Sequence, residues 1–230
     1  LLRVLYHRAG AERPAEGAQR RFSDRRIEDA LKDVETLQGR YARDPMVQVG
    51  LAPHSVRALP REWIADAARF ASANTMPLHM HLAEQEREVE ECLAEYGMRP
   101  VELVAESGAL ASNLVAVHAT HLSEAEIALL GEARAMVCVC RSTERDLGDG
   151  LPPLSPLREA GVSFCVGADS HAVSDPFEEL RAMELDERSR LQARVAFAEA
   201  PALLDMLCTQ GYRAIAFEGA VGDRVHLDPT

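Results

Sequence analysis

Short apolar runs alternate along this chain with longer stretches in which apolar residues recur every three or four positions. The runs at 1–6, 47–52, 77–81, 115–118, 136–140 and 163–167 are rich in Val, Leu and Cys and nearly free of charge. Unbroken runs of that length are what strands covered on both faces show. The stretches between them read as helices. Residues 24–40 follow Ser23 as a cap and carry Ile27, Leu31, Val34 and Leu37 at helical spacing. Residues 60–74 start on a proline and turn Trp63, Ile64, Ala67 and Phe70 to one side. Residues 86–96 form a charged helix that Gly97 stops, and 123–131 open on the capping box Ser123-Glu-Ala-Glu126. Shorter helices are expected at 100–107 and 156–161.

Strand and helix in alternation, with right-handed crossovers, predict a parallel sheet. The expected fold class is α/β: a TIM-type (β/α)8 barrel, here an incomplete piece of six strands that do not close it. After residue 175 the pattern turns helical, at 175–194 and 198–211. Residues 8–20 read as a long loop of Gly, Pro, Glu and Arg, of the kind that covers an active-site mouth. The chain starts directly in a strand and closes, at 222–230, on what looks like the start of another. It therefore reads as an internal piece of something longer.

Charge narrows the partners. Acidic residues outnumber basic ones 37 to 25, a net charge of −12. Such a surface repels phosphate backbones, which argues against nucleic acid, and an anionic ligand would need local arginines. No apolar run is long enough for a membrane span and no leader opens the chain, so no membrane partner is expected. The five cysteines are odd in number and lack paired zinc-knuckle spacing; Cys138 and Cys140 share one face of a strand. They read as reduced core thiols of a cytoplasmic protein.

The chemistry lies where the strands end. His81 and Glu84 sit three apart as one strand runs out, an imidazole suited to a divalent metal beside a carboxylate suited to proton transfer. His79 shares His81's face and could be a deeper ligand. His118 ends the next strand, at the position that His81 holds on its own, and His121 follows in what reads as a solvent-facing loop. Asp169 follows Val166-Gly-Ala, poised to bind metal and take a proton from its water. His171 is its neighbour and receives no role. His54 and Arg57 end an earlier strand, and the guanidinium suits bidentate capture of a carboxylate, although a surface salt bridge would also explain it. Gln19-Arg20-Arg21 in the long loop could face an anion too, although taken alone a solvated charge run explains it better. The polar stretch 141–150 is too rich in charge and glycine to be a spacer, yet its chemistry is not legible from composition.

These residues resemble the amidohydrolase superfamily, and more narrowly its formimidoylglutamate deiminases of histidine breakdown. The stretches that carry the resemblance are Leu-Tyr-His-Arg-Ala-Gly (5–10), Glu-Gly-Ala-Gln-Arg-Arg-Phe (16–22), Ala-Pro-His-Ser-Val-Arg-Ala (52–58), His-Met-His-Leu-Ala-Glu-Gln (79–85), Val-His-Ala-Thr-His (117–121), Ser-Thr-Glu-Arg-Asp-Leu-Gly-Asp-Gly (142–150) and Gly-Ala-Asp-Ser-His (167–171). The resemblance implies one zinc, or another divalent ion, held by His81 and Asp169. It implies Glu84 as proton shuttle, His118 as the group that polarises the substrate or orients the water, and Asp169 also as base. His54 and Arg57 would hold a small anionic, amino-acid-derived substrate, and His79 drops to a strand neighbour. It further implies residues 1–218 as the barrel's third to eighth strands with their helices, and 219–230 as the start of a return to a small β domain. A homodimer is the expected assembly. The family's His-x-His pair, ending its first strand, has no counterpart upstream of Leu1, and Arg141 and Arg145 are more charged than expected there. The chain alone is therefore expected to be inactive and to bind zinc weakly. The implied reaction is hydrolytic deimination of N-formimidoyl-L-glutamate. The alternatives are another aminohydrolase of the same scaffold, acting on guanine, an adenosine derivative or a triazine, and an inactive binding module.

Overall fold

The computed structural model describes residues 1–169 and 174–217. The chain enters on β1 (Leu2–Leu5), makes a hairpin of β2 (Arg8–Gly10) and β3 (Arg13–Pro14), and passes a 3-10 turn at Gly17–Phe22 into α1 (Ile27–Tyr41). Then follow β4 (Gly50–Pro53), α2 (Arg61–Ala73), β5 (Leu78–Leu82), α3 (Glu86–Tyr96), α4 (Pro100–Glu106), β6 (Leu114–His118) and α5 (Glu124–Glu132). The remainder is β7 (Met136–Val139), α6 (Arg141–Leu147), α7 (Leu154–Glu159), β8 (Ser163–Val166), α8 (Pro176–Leu191), α9 (Ala200–Asp205), a π-helical turn at Met206–Gln210, and α10 (Gly211–Ala214).

The six longer strands form one parallel sheet in the order β1-β4-β5-β6-β7-β8. Sequential order with helical crossovers is the wall of a (β/α) barrel, as the pattern predicts. Alternation along β5 shows its two faces. Leu78, Met80 and Leu82 are buried in the main core with Ile64, Leu103 and Leu130 of the covering helices, while His79 and His81 point to the other face. On that inner face Val115, Met136 and Cys165 pack with Ala214 of α10.

Several helix ends follow their sequence signals. Gly97 takes φ +70° and ends α3, a left-handed turn that costs glycine little. Ser123 and Glu126 complete the reciprocal capping box, and Glu126 also accepts the Val101 N–H and the Arg99 guanidinium, at 3.0 and 2.6 Å. Two expectations fail locally. Residues 8–20 are a short hairpin followed by a 3-10 turn rather than an open loop, pinned where the Arg8 guanidinium meets Glu95 at 2.7 Å. Ser23 does not cap α1, which begins three residues after the expected start. Asp24 instead donates its N–H to the Tyr6 carbonyl and takes the Arg3 guanidinium at 2.6 Å, tying the approach to β1. Among the described residues no helix is long and apolar enough to cross a membrane. Residues 219–230 and His171 lie outside the described part, so the expected return to a β domain does too.

Candidate active site

The strand ends bring His54, His81, Glu84, His118 and Asp169 together at the C-terminal edge of the sheet. The rings of Tyr6, His54, His81 and His118 run side by side, with neighbouring centroids 4.9, 4.7 and 5.5 Å apart. His81 donates its Nδ1–H to the His54 carbonyl at 2.9 Å, and the same oxygen accepts the His81 backbone N–H at 3.1 Å. That fixes the tautomer and leaves Nε2 free to face the cleft.

His118 reaches the cleft against the regular pleat. Register pairs it with Leu82, and Val117 with His81, so its side chain has the parity of the helix-facing Leu114 and Ala116. The expectation that it holds the position of His81 is therefore off by one residue. The backbone resolves the mismatch: His118 takes φ +72° and Ala119 +53°, leaving the pleat at the strand end. Ala83 (+51°) and Asp169 (+50°) are left-handed at the ends of their strands as well. Non-glycine residues in this region store strain, and here they sit at or beside the residues that face the cleft.

Polar contacts then converge. His118 Nε2 lies 3.7 Å from Glu84 Oε1 and 3.6 Å from Asp169 Oδ2 and makes no hydrogen bond among the described residues, although its side chain is fully buried. One ligand atom each from His81, His118 and Asp169 lie within 4.8 Å of one another. Two imidazoles and a carboxylate, with an unpartnered buried Nε2 among them, fit a divalent cation. His118 Nε2 thus stands near enough to offer a third donor atom, beside the substrate-polarising role that the resemblance implies for it.

Burial raises the Glu84 carboxyl above its usual range, the His118 charge pulls it back, and the nearby Asp149 carboxylate raises it further. Burial pulls the His118 imidazole down, but its hydrogen bond to Glu144 and the charges of Glu84, Glu144 and Asp169 more than offset this, and the net shift is upward. His54 is held down to about 3 by burial and by the neighbouring His81 and Arg57, so it works as a neutral ring. Its Nδ1 sits 3.0 Å from Ser55 Oγ. Arg57 is half-buried, its charge is felt at His54, Glu84 and Glu88, and its guanidinium has no partner among the described residues.

Other expected residues stand apart. His79 Nε2 is 2.7 Å from the Ala214 carbonyl, so hydrogen bonding within the inner core occupies it and it does not join the cluster. His121 is partly buried rather than solvent-facing, its Nε2 2.7 Å from the Asp149 carbonyl. Gln19 and Arg21 line a cavity of about 620 Å³ along β1, which His54 also borders. Sequence reasoning missed three buried acids. Glu88 accepts the Ala83 and Glu84 N–H groups, Glu144 meets His118 Nδ1 at 3.1 Å, and Asp149 accepts from the Gln85 amide at 3.0 Å. A glutamate four residues after Glu84, on a helix that starts beside it, was the available signal for Glu88.

The sequence profile of the amidohydrolase family matches residues 5–223. The formimidoylglutamate deiminase of Pseudomonas aeruginosa is 37% identical over 199 residues, covering 84% of this chain and 42% of that protein. The 5-methylthioadenosine/S-adenosylhomocysteine deaminase of Syntrophobacter fumaroxidans is 31% identical over 199 residues, 86% of this chain and 45% of that protein. Among solved structures, an adenosine deaminase from Xanthomonas campestris with bound zinc superposes with a TM-score of 0.81 at 25% identity, over 94% of this chain and 47% of that one. The chain thus spans somewhat under half the length of these relatives.

Proposed function

We propose that this chain, which belongs to the amidohydrolase family, carries the proton-transfer and substrate-binding half of a metal-dependent deiminase acting on N-formimidoyl-L-glutamate. His81 and Asp169 would hold the cation, with His118 Nε2 in reach of it. A divalent ion held there, zinc by the analogy of the zinc-bound relative, would supply Lewis acidity for activating water.

The remaining steps belong to side chains of this chain. Asp169 takes a proton from the attacking water, whose oxygen adds to the formimidoyl carbon. His118 stabilises the charge that develops at the tetrahedral centre. Glu84, raised by its burial, is suited to carry a proton to the departing nitrogen. Two protons reach that nitrogen: the one Asp169 takes from the water and the one the added hydroxyl gives up as its oxygen becomes the formyl carbonyl. The C–N bond then breaks, ammonia leaves, and N-formyl-L-glutamate remains, the water having supplied the formyl oxygen and both protons.

The observation that supports the substrate is Arg57, a guanidinium beside Glu84 with no ion-pair partner among the described residues, in a strongly acidic chain. A glutamate carboxylate would pair with it, whereas a purine offers it no anion. The adenosine-derivative deaminase at 31% identity supports the second reading, a purine-type aminohydrolase. Steady-state assays of the full-length protein on both substrates decide between them. We expect turnover of N-formimidoyl-L-glutamate and none of 5-methylthioadenosine, which carries no carboxylate; the reverse result overturns this reading.

A further inference from the structure

We propose that Glu144 is a positioning residue for the reaction: it accepts the Nδ1–H of His118 and so keeps Nε2 turned into the cleft between Glu84 and Asp169. The reaction it serves rests on the deiminase reading above, but the geometry does not. His118 and Glu144 are both fully buried, with Nδ1 3.1 Å from Oε1. On the far side of the ring Nε2 has no hydrogen-bond partner among the described residues and faces two carboxylates, at 3.7 and 3.6 Å. One nitrogen is held and the other is presented.

The carboxylate is itself fixed. Glu144 Oε1 also accepts the Cys140 N–H at 2.9 Å, and Oε2 takes the Arg141 guanidinium. Arg141, 1% exposed, donates in turn to the Asp186 carboxylate on α8 at 2.8 Å and to the Gly150 carbonyl at 3.1 Å. Rotating Glu144 away from His118 would also break its bonds to Cys140 and Arg141. The two cleft histidines therefore differ in what holds them. His81 gives its Nδ1–H to a neutral backbone carbonyl, and His118 gives its own to an ion-paired carboxylate. A charged acceptor makes the stronger hydrogen bond and holds the ring against the left-handed backbone beneath it. This gives a function to the polar stretch at 141–150, which the deiminase reading leaves without one.

The competing explanation is that Glu144 only neutralises the buried Arg141. Long-range 1H–15N NMR of the imidazoles in this chain separates the two, with the His118 ring assigned by its disappearance in His118→Gln. At a pH where the ring is neutral, we expect the proton on Nδ1; a neutral His118 carrying its proton on Nε2 overturns the proposal. In the full-length enzyme, Glu144→Gln should lower kcat about 10- to 100-fold with KM within about threefold of wild type. The pair Arg141→Gln and Glu144→Gln removes the buried cation as well, so folding does not depend on an unpaired charge. If that folded double variant keeps wild-type kcat, Glu144 is only a charge partner and the proposal fails. A wild-type enzyme inert toward N-formimidoyl-L-glutamate would defeat the deiminase reading instead, and the tautomer seen by NMR would still decide the role of Glu144.

Discussion

Glu88 Oε2 accepts the backbone N–H of Glu84 at 3.2 Å, and Oε1 accepts that of Ala83 at 3.1 Å, so one buried acid anchors the strained step from which the Glu84 side chain projects. Burial pushes the Glu88 carboxyl up from 4.5 to about 7, although both N–H donors pull it down. The folded chain then holds a proton that the unfolded chain releases near 4.5. The stability this contributes is complete below about pH 4.5 and is lost as pH rises through about 7. His54, held down to about 3, acts oppositely: its contribution is present above 6.5 and is lost as pH falls. Comparing wild type with Glu88→Gln cancels His54. Urea unfolding should show the wild type losing on the order of 2 kcal/mol relative to the variant between pH 5 and 8. A relative gain over that range would contradict the assignment.

Arg57→Ala should raise KM for N-formimidoyl-L-glutamate by about 10- to 100-fold, the worth of a charge-assisted hydrogen bond to a carboxylate, and change kcat less. Arg57→Lys should recover only part of the loss, because an ammonium cannot make the planar fork. Both are read by steady-state kinetics of the full-length protein. An unchanged KM in Arg57→Ala would mean that the guanidinium does not meet the substrate.

Zinc should bind this chain only weakly, with a Kd above about 1 μM, because among the described residues His81, His118 and Asp169 could offer three donors where a tight tetrahedral site takes four. Isothermal titration calorimetry measures it directly. Asp169→Asn should weaken binding further, and tight stoichiometric zinc in the wild type would point to a fourth ligand.

Gly131→Ala should destabilise the fold, although alanine is the better helix former by about 1 kcal/mol. A Cβ there would stand 2.3 Å from the carbonyl oxygen of Ala160, where α5 passes the end of α7. The helices would have to separate, at about 1–3 kcal/mol. Thermal unfolding should give a lower Tm for the variant; a higher one would mean that propensity outweighs the close approach.

Much of this architecture was legible because both-face burial leaves long uncharged runs, and such runs locate β5, β6 and β8 to within a residue or so. The cleft residues were legible because they end those runs. The inward turn of His118 was not, since counting residues along a strand assumes a pleat that its positive φ abandons. The stretch around Glu144 was opaque for another reason. Arg141 is neutralised by Asp186, 45 residues later, and no local pattern reports that contact. Ser23 misled in the same way, because the Arg3–Asp24 ion pair outcompetes an ordinary helix start.

The buried thiols also make a built-in clock. Cys92, Cys140 and Cys165 are shielded in the folded chain while Cys208 is exposed, and burial lifts the Cys92 thiol to about 12, far from the thiolate that alkylating reagents attack. Cys208 will therefore label immediately, and each shielded thiol only when its own region opens. The delay at Cys92 times the loosening of α3, and that at Cys165 the fraying of β8, so the chain's breathing can be followed without adding a probe.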